Sequence, residues 1–227
     1  DLNQSGYRFE PVGDKQIRYG LGAIKGTGEA AIGAIVAARE EGGPFAGLFD
    51  LCRRVDKRYL NRRVLEALIK GGAFDSINPH RASLMASIAH AMESADMAAR
   101  GGGQGGLFGE AESLEVGEPC VDTPAWPEKE KLLQEKSALG FYLSGHPFTA
   151  SAEELAKFVR QRLSELQPSR DLQLMAGIIV SIRIQMTKRG KMAIVLLDDA
   201  TSPLEVVIFS ETFDAYRDWI KEDELLI

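Results

Sequence analysis

Apolar residues recur at helical spacing through most of the chain and switch to strict alternation near its end. Tyr7-Arg8-Phe9 and Ile17-Arg18-Tyr19 flank a turn-forming stretch from Pro11 to Asp14, which predicts short extended pieces over 1–21. Ile32, Ile35 and Val36 share one helix face, Glu29 suits a helix start, and Gly42-Gly43-Pro44 stops the helix, so 29–41 is predicted helical. A short helix follows over 48–54. A firmer one over 59–70 carries the stripe Leu60, Val64, Leu65, Leu68 and Ile69 and ends at Gly71-Gly72. Asn78-Pro79 is a cap and first-turn pair for a helix reaching residue 99. Residues 101–126, rich in glycine, acidic residues and proline, predict a flexible linker. Beyond it, Pro127 opens a helix with Leu132, Leu133 and Leu139 inward. Ser151-Ala152-Glu153-Glu154 has the form of a capping box for a helix using Leu155, Phe158 and Val159.

From Leu172 the period is two: Leu172, Leu174, Ala176, Ile178, Val180, Ile182, Ile184 and Met186 predict one long half-buried strand, which Gly177 would let bulge. A hairpin turn at 187–190 leads to a second strand with Met192, Ile194 and Leu196, and a turn at 198–203 to a third with Leu204, Val206 and Ile208. A helix over 211–220 precedes Leu225-Leu226-Ile227, which reads as the opening of another strand. Long strand, hairpin, third strand and helix is the order of the first part of an OB-fold. A barrel cut short there leaves an unpaired edge, so this part is expected to be marginal alone. The fold class expected is α+β and multi-domain, a mainly helical part followed by a β-rich, truncated OB-fold.

Charge changes the picture. The net charge is −6, yet residues 1–109 hold 14 basic and 12 acidic residues, and the excess acid lies beyond them. Between 52 and 70 stand Arg53, Arg54, Lys57, Arg58, Arg62, Arg63 and Lys70 against Asp56 and Glu66. Phosphate binding follows local potential, so this cluster fits a nucleic-acid contact; a solvated helix face is the alternative. No run of about 18 apolar residues is present and no signal peptide is visible. Cys52 and Cys120, far apart, fit a reducing, cytoplasmic setting, and with three scattered histidines they give no zinc-ligand spacing.

The sharpest local signal is Leu21-x-x-Ile24-x-Gly26-x-Gly28-x-x-x-Ile32. The apolar positions suit two packed helices. The glycines let the turn tighten, so backbone N–H groups at a helix start face outward toward a phosphate oxygen, beside Lys25. Lys25, Gly26, Thr27 and Gly28 are therefore candidate DNA contacts that read no bases. A weaker second copy, Leu65-x-x-Leu68-x-Lys70-Gly71-Gly72-Ala73-Phe74, adds Lys70, Gly71 and Gly72. An ordinary glycine-capped turn is the plainer reading of each. In the linker, Gln104, Gly105, Gly106, Leu107 and Phe108 pair an amide with two apolar side chains and resemble the short peptide that docks into bacterial sliding clamps; a linker with two incidental apolar residues is the alternative. Asp198-Asp199 and His146 read as turn residues, because no further carboxylate or nucleophile is placed to make them catalytic.

Four stretches, in order, resemble the C family of bacterial replicative DNA polymerases, the polymerase III α-subunit family. They are residues 17–26 (IRYGLGAIKG), 68–75 (LIKGGAFD), 104–109 (QGGLFG) and 139–147 (LGFYLSGHP), the last being specific to that family. The resemblance spans the chain. It implies the end of a fingers region at 1–18, a tandem helix-hairpin-helix DNA-binding domain at 19–100, the clamp-peptide linker at 101–126, a helical connector at 127–170 and a partial OB-fold at 171–227. It also implies a part in processive DNA synthesis with duplex DNA, the sliding clamp and other holoenzyme subunits as partners, and single-stranded template near the OB-fold. The polymerase aspartates and their Mg2+ are expected elsewhere in the parent enzyme, leaving this segment without cofactor or activity of its own. An error-prone paralogue, or a repair nuclease or ligase with the same hairpins, remains an alternative. Glycines at both middle positions of the clamp peptide depart from the commoner form and add ordering entropy on docking.

Overall fold

The computed structural model describes residues 1–101, 119–188 and 190–227, in two compact units, 1–142 and 143–227. Residues 104–108 lie outside the described residues.

The first unit is helical. A two-stranded antiparallel ribbon, β1 (Glu10–Val12) and β2 (Gln16–Arg18), precedes a 3-10 turn at Leu21–Ala23. Then come α1 (Glu29–Gly42), α2 (Leu48–Arg54), α3 (Arg62–Lys70), α4 (Arg81–Gly101) and α5 (Glu128–Leu139). Leu21, Ile24, Ile32, Ile35, Leu65, Leu68, Ile69 and Phe74 are buried in one core with Leu84, Ile88, Ala138 and Leu139. The helices thus form where the periodicity predicts them. One difference is that the segment before the first glycine turn is 3-10 rather than α.

Residues 1–18, which the resemblance would set apart as the end of another region, pack into this unit. Leu2 is buried in its core and donates its N–H to the Ala73 carbonyl at 2.7 Å. Asn3 exchanges two hydrogen bonds with the Phe45 backbone, at 2.7 and 2.9 Å. Arg39 of α1 donates to the carbonyls of Leu2 and Ser5. At the other end, α5 belongs to the same core, so the stretch read as a connector is divided at Tyr142.

The second unit opens with a 3-10 segment, Pro147–Ser151, running into the one-turn helix α6 (Ala152–Leu155). Ser151 makes no side-chain cap, and Phe158 is exposed, so the expected capped helix is not formed. The cap is instead His146, whose Nδ1 accepts the Phe148 N–H, which gives that histidine a turn-forming role.

A four-stranded antiparallel sheet follows, in the order β5-β4-β3-β6, from β3 (Gly177–Thr187), β4 (Gly190–Asp198), β5 (Pro203–Ile208) and β6 (Leu225–Leu226). Helix α7 (Ser210–Tyr216) joins β5 to β6 and buries Phe213 in the sheet's core. This is an OB-like β-rich part, so the α+β class is borne out.

The predicted long strand is shorter and changes face. Residues 172–176 are outside it, with Leu172 and Leu174 exposed. Val180 is the extra residue of a bulge, since Ile179 pairs with Leu197 and Ser181 with Leu196. The inward parity therefore moves from Ile179 to Ile182, and β4 buries Ala193, Val195 and Leu197 in place of Met192, Ile194 and Leu196.

Candidate nucleic-acid interface

Gly26 sits at φ +98°, a left-handed conformation that disfavours any residue with a Cβ. This bend lets the chain leave the 3-10 turn and enter α1 through Gly28, which is extended and provides no side-chain cap. Among the described residues, the N–H groups of Gly26, Gly28, Glu29 and Ala30 meet no acceptor. Four such donors at the positive end of a 14-residue helix are the groups from which an anion cradle is built.

Thr27 plays a different part from the one its position suggests. Its hydroxyl is 2.8 Å from both the Leu21 and Ile24 carbonyls, and its N–H donates to Ile24 as well. Thr27 holds the turn. The Lys25 N–H is likewise occupied, donating to the Ala138 carbonyl of α5 at 2.7 Å, while its side chain stays exposed. Glu29 adds a carboxylate in the first turn, which opposes an anion and so makes neighbouring cations necessary.

Arg63 supplies one. A Cβ placed at Gly26 would lie 3.7 Å from Arg63 Nε and 3.6 Å from the Ala67 methyl, so α3 carries its basic residue to the first turn. Asn61 starts that helix by accepting the Val64 N–H at 3.1 Å.

The rest of the basic cluster separates by partner. Arg54 is turned inward: it donates to the carbonyls of Ala38 and Gly43, pairs with Asp50 at 3.1 Å and lies 4.4 Å from the Phe45 ring centre. Those contacts give it a structural role at the end of α1. Lys57 pairs with Asp96, Arg58 with Asp56 and Arg62 with the half-buried Glu66, the three cations being exposed. These pairs hold the carboxylates of Asp96 and Asp56 below their usual range, each chiefly through the hydrogen bond from its cation. Exposed pairs of this kind are weak and exchange readily for a phosphate. Arg53 lines a cavity of about 390 Å³ with Lys57 and Met92. Lys25, Arg63 and Lys70 have no carboxylate partner among the described residues.

The second copy differs from the first in that its glycine N–H groups have partners within the chain. Gly71 donates its N–H to Ala67, Gly72 to Ile69 and Ala73 to Leu68, so the glycine pair is the C-terminal cap of α3. The start of α4 is capped too, with Asn78 accepting from His80 and His80 from Ser83. Gly72, at φ +73°, has no room for a Cβ because the Arg81 guanidinium and Asp75 carboxylate lie against it. Gly71 instead touches Ile24, packing the two turns together.

Sequence reasoning missed Arg81. Its Nε and Nη2 donate to Asp75 at 2.8 and 2.5 Å, and Nη1 donates to Glu135 at 2.8 Å and to the Lys70 carbonyl at 3.1 Å. Burial works against its charge, but the two carboxylates outweigh it and hold the guanidinium above its ordinary pKa. The available signal was Glu135, a carboxylate between Leu132 and Leu139 on the buried stripe of α5.

Among the described residues no helix is long and apolar enough to cross a membrane. The helix-hairpin-helix motif family matches residues 1–84. Over its whole length the chain is 49% identical to DNA polymerase III subunit alpha of Neisseria meningitidis serogroup A, of which it covers 20%. It is 41% identical to the subunit of the same name from Vibrio cholerae and to that from Escherichia coli K12, again over the full chain and 20% of each relative. The resemblance read from the four sequence stretches is borne out. The chain spans about one fifth of the length of these relatives.

Proposed function

Because the chain aligns end to end with one fifth of DNA polymerase III subunit alpha, we propose that it is the duplex-gripping and clamp-tethering part of a replicative polymerase. The observation that carries this reading is the cradle of N–H donors over 26–30, flanked by Lys25 and Arg63. Such a cradle takes one phosphate oxygen and no base edge, so the grip is independent of sequence and sensitive to salt. Lys70 and the exposed cations Lys57, Arg58 and Arg62 extend the positive surface along the duplex.

Gln104, Gly105, Gly106, Leu107 and Phe108 are proposed as the clamp-docking peptide, with Leu107 and Phe108 filling an apolar pocket. The β-rich unit, a partial OB-fold in this reading, exposes Phe209, Tyr216 and Trp219, side chains on which single-stranded bases stack. Magnesium-dependent nucleotide transfer and the contacts to other holoenzyme subunits belong to the cytoplasmic parent polymerase.

Two titrations test the proposal with this chain. Anisotropy of a labelled duplex is expected to rise on binding, with equal affinity for unrelated sequences and a log–log salt slope that Arg63→Glu makes shallower by at least about one. A strong sequence preference, or no binding at low salt, overturns the grip. For the tether, the sliding clamp is expected to bind the wild type and not the Leu107→Ala/Phe108→Ala variant; equal binding by both removes it.

A further inference from the structure

We propose that α5 is a positioning helix for the duplex grip, holding both turns at a fixed spacing through Glu135 and the Ala138 carbonyl. This rests on the phosphate-grip reading above and adds to it a helix, 128–139, that lies beyond the matched motif at 1–84.

The buried face of α5 consists of Leu132, Glu135, Ala138 and Leu139. An apolar residue would suit position 135, yet the side chain there is a carboxylate at 0% exposure, paired to a guanidinium at 4%. Burying two charges is expensive, and an apolar replacement of similar volume is often neutral or stabilising. Stability is thus a weak reason for the pair. Direction is a better one. The planar guanidinium of Arg81 ties three elements at once: the last carbonyl of α3 at Lys70, the second turn at Asp75 and α5 at Glu135.

One turn further along α5, the Ala138 carbonyl accepts the Lys25 N–H at 2.7 Å. The Lys25 ammonium comes to 3.4 Å from the position of a Cβ at Gly140, the left-handed C-cap of α5. That end of a helix attracts a cation. The same helix therefore holds the second turn by an ion pair and the first turn by its backbone, and Ile24 against Gly71 closes the triangle. With the turns so fixed, the Gly26 turn stays beside the Arg63 side chain.

The test uses the 227-residue chain. In the Glu135→Leu/Arg81→Met variant the charges are replaced by apolar volume. Its thermal midpoint is expected to equal or exceed that of the wild type, while the Lys25 amide exchanges with deuterium about tenfold faster. Its duplex affinity is expected to fall about five- to tenfold with a shallower salt slope. A folded double variant with unchanged Lys25 exchange overturns the positioning role. Should the double variant not fold, Glu135→Gln is read in the same way: faster Lys25 exchange supports the role and unchanged exchange overturns it. If the wild type binds no duplex, the grip reading fails by itself, and Lys25 exchange still decides whether α5 positions the turn.

Discussion

Arg63 and Gly26 face each other, one on α3 and one in the turn before α1, with Nε of the arginine 3.7 Å from where a Cβ would stand on the glycine. Sequence separates them by more than thirty positions, and the core formed by Ile24, Ala67 and Leu68 joins them. Arg63→Ala should therefore weaken duplex binding at every sequence and reduce the salt slope by about one, with unfolding free energy unchanged within about 0.5 kcal/mol. Urea melts alongside anisotropy titrations check both halves. Gly26→Ala should cost about 1–2 kcal/mol from backbone strain at φ +98°.

Arg54 should behave in the opposite way. It carries the same charge, but its guanidinium is spent on Ala38, Gly43, Asp50 and Phe45. Arg54→Ala is expected to lower stability by about 1–3 kcal/mol through the lost hydrogen bonds and packing. Its salt slope, measured where the variant is fully folded, should match the wild type. A reduced slope at full folding would return Arg54 to the DNA face.

Thr27 separates a turn-holding role from a phosphate-binding one. Thr27→Val keeps the shape and loses the hydroxyl that reaches Leu21 and Ile24, which should cost about 1 kcal/mol. Thr27→Ser keeps the hydroxyl and should retain the stability that the valine loses. Denaturant midpoints of the three proteins provide the comparison, and equal midpoints for valine and serine would contradict the assignment.

The helices were legible because their stripes are unambiguous, as the buried set Val64, Leu65, Leu68 and Ile69 shows. The face of β4 was not. Residues 192–197 are all apolar, so alternation cannot choose a side, and the choice falls to pairing. Ala193, Val195 and Leu197 stand between Ile184, Ile182 and Ile179 on β3 and Ile208, Val206 and Leu204 on β5. The bulge at Val180 then breaks a stripe that looked continuous in the sequence. At the site, the first glycine turn was legible from spacing alone. The fate of each arginine was not, because a charge count cannot distinguish Arg54, wrapped in carbonyls, from Arg63, free of a carboxylate. The second turn was hard to read for a related reason: a glycine pair after a helix serves equally as a C-cap, and here the N–H groups of Gly71 and Gly72 are both used.

Cys52 should be inert in the folded chain. Burial pushes its thiol up to about 12, only partly offset by Arg53, so at neutral pH almost no thiolate exists. Cys120 is half-buried. A disulfide reagent at pH 7.5 is expected to label one thiol in native protein and two after unfolding, with mass mapping placing the first label on Cys120. Rapid native labelling of Cys52 would mean that α2 opens locally.

Asp199 couples the second unit to pH. Burial alone would raise its pKa, but hydrogen bonds from the Thr201 hydroxyl and from the N–H groups of Leu163, Thr201 and Ser202 outweigh it and leave the carboxyl below its ordinary value. The native state thus favours the charged form more than the unfolded chain does. The resulting stabilisation is complete above the unfolded value, about 3.9, and is lost as pH falls through the lower native value. Trp219 fluorescence in a Trp126→Phe background reports on this unit alone. Urea midpoints should fall as pH drops from about 5 toward 3, because the protonated carboxyl no longer accepts from Leu163 in full. Asp199→Asn should be less stable at pH 7 and should show a shallower fall over the same acid range. Parallel acid limbs in the two proteins would show that other carboxylates, and not this one, set the acid sensitivity of the sheet.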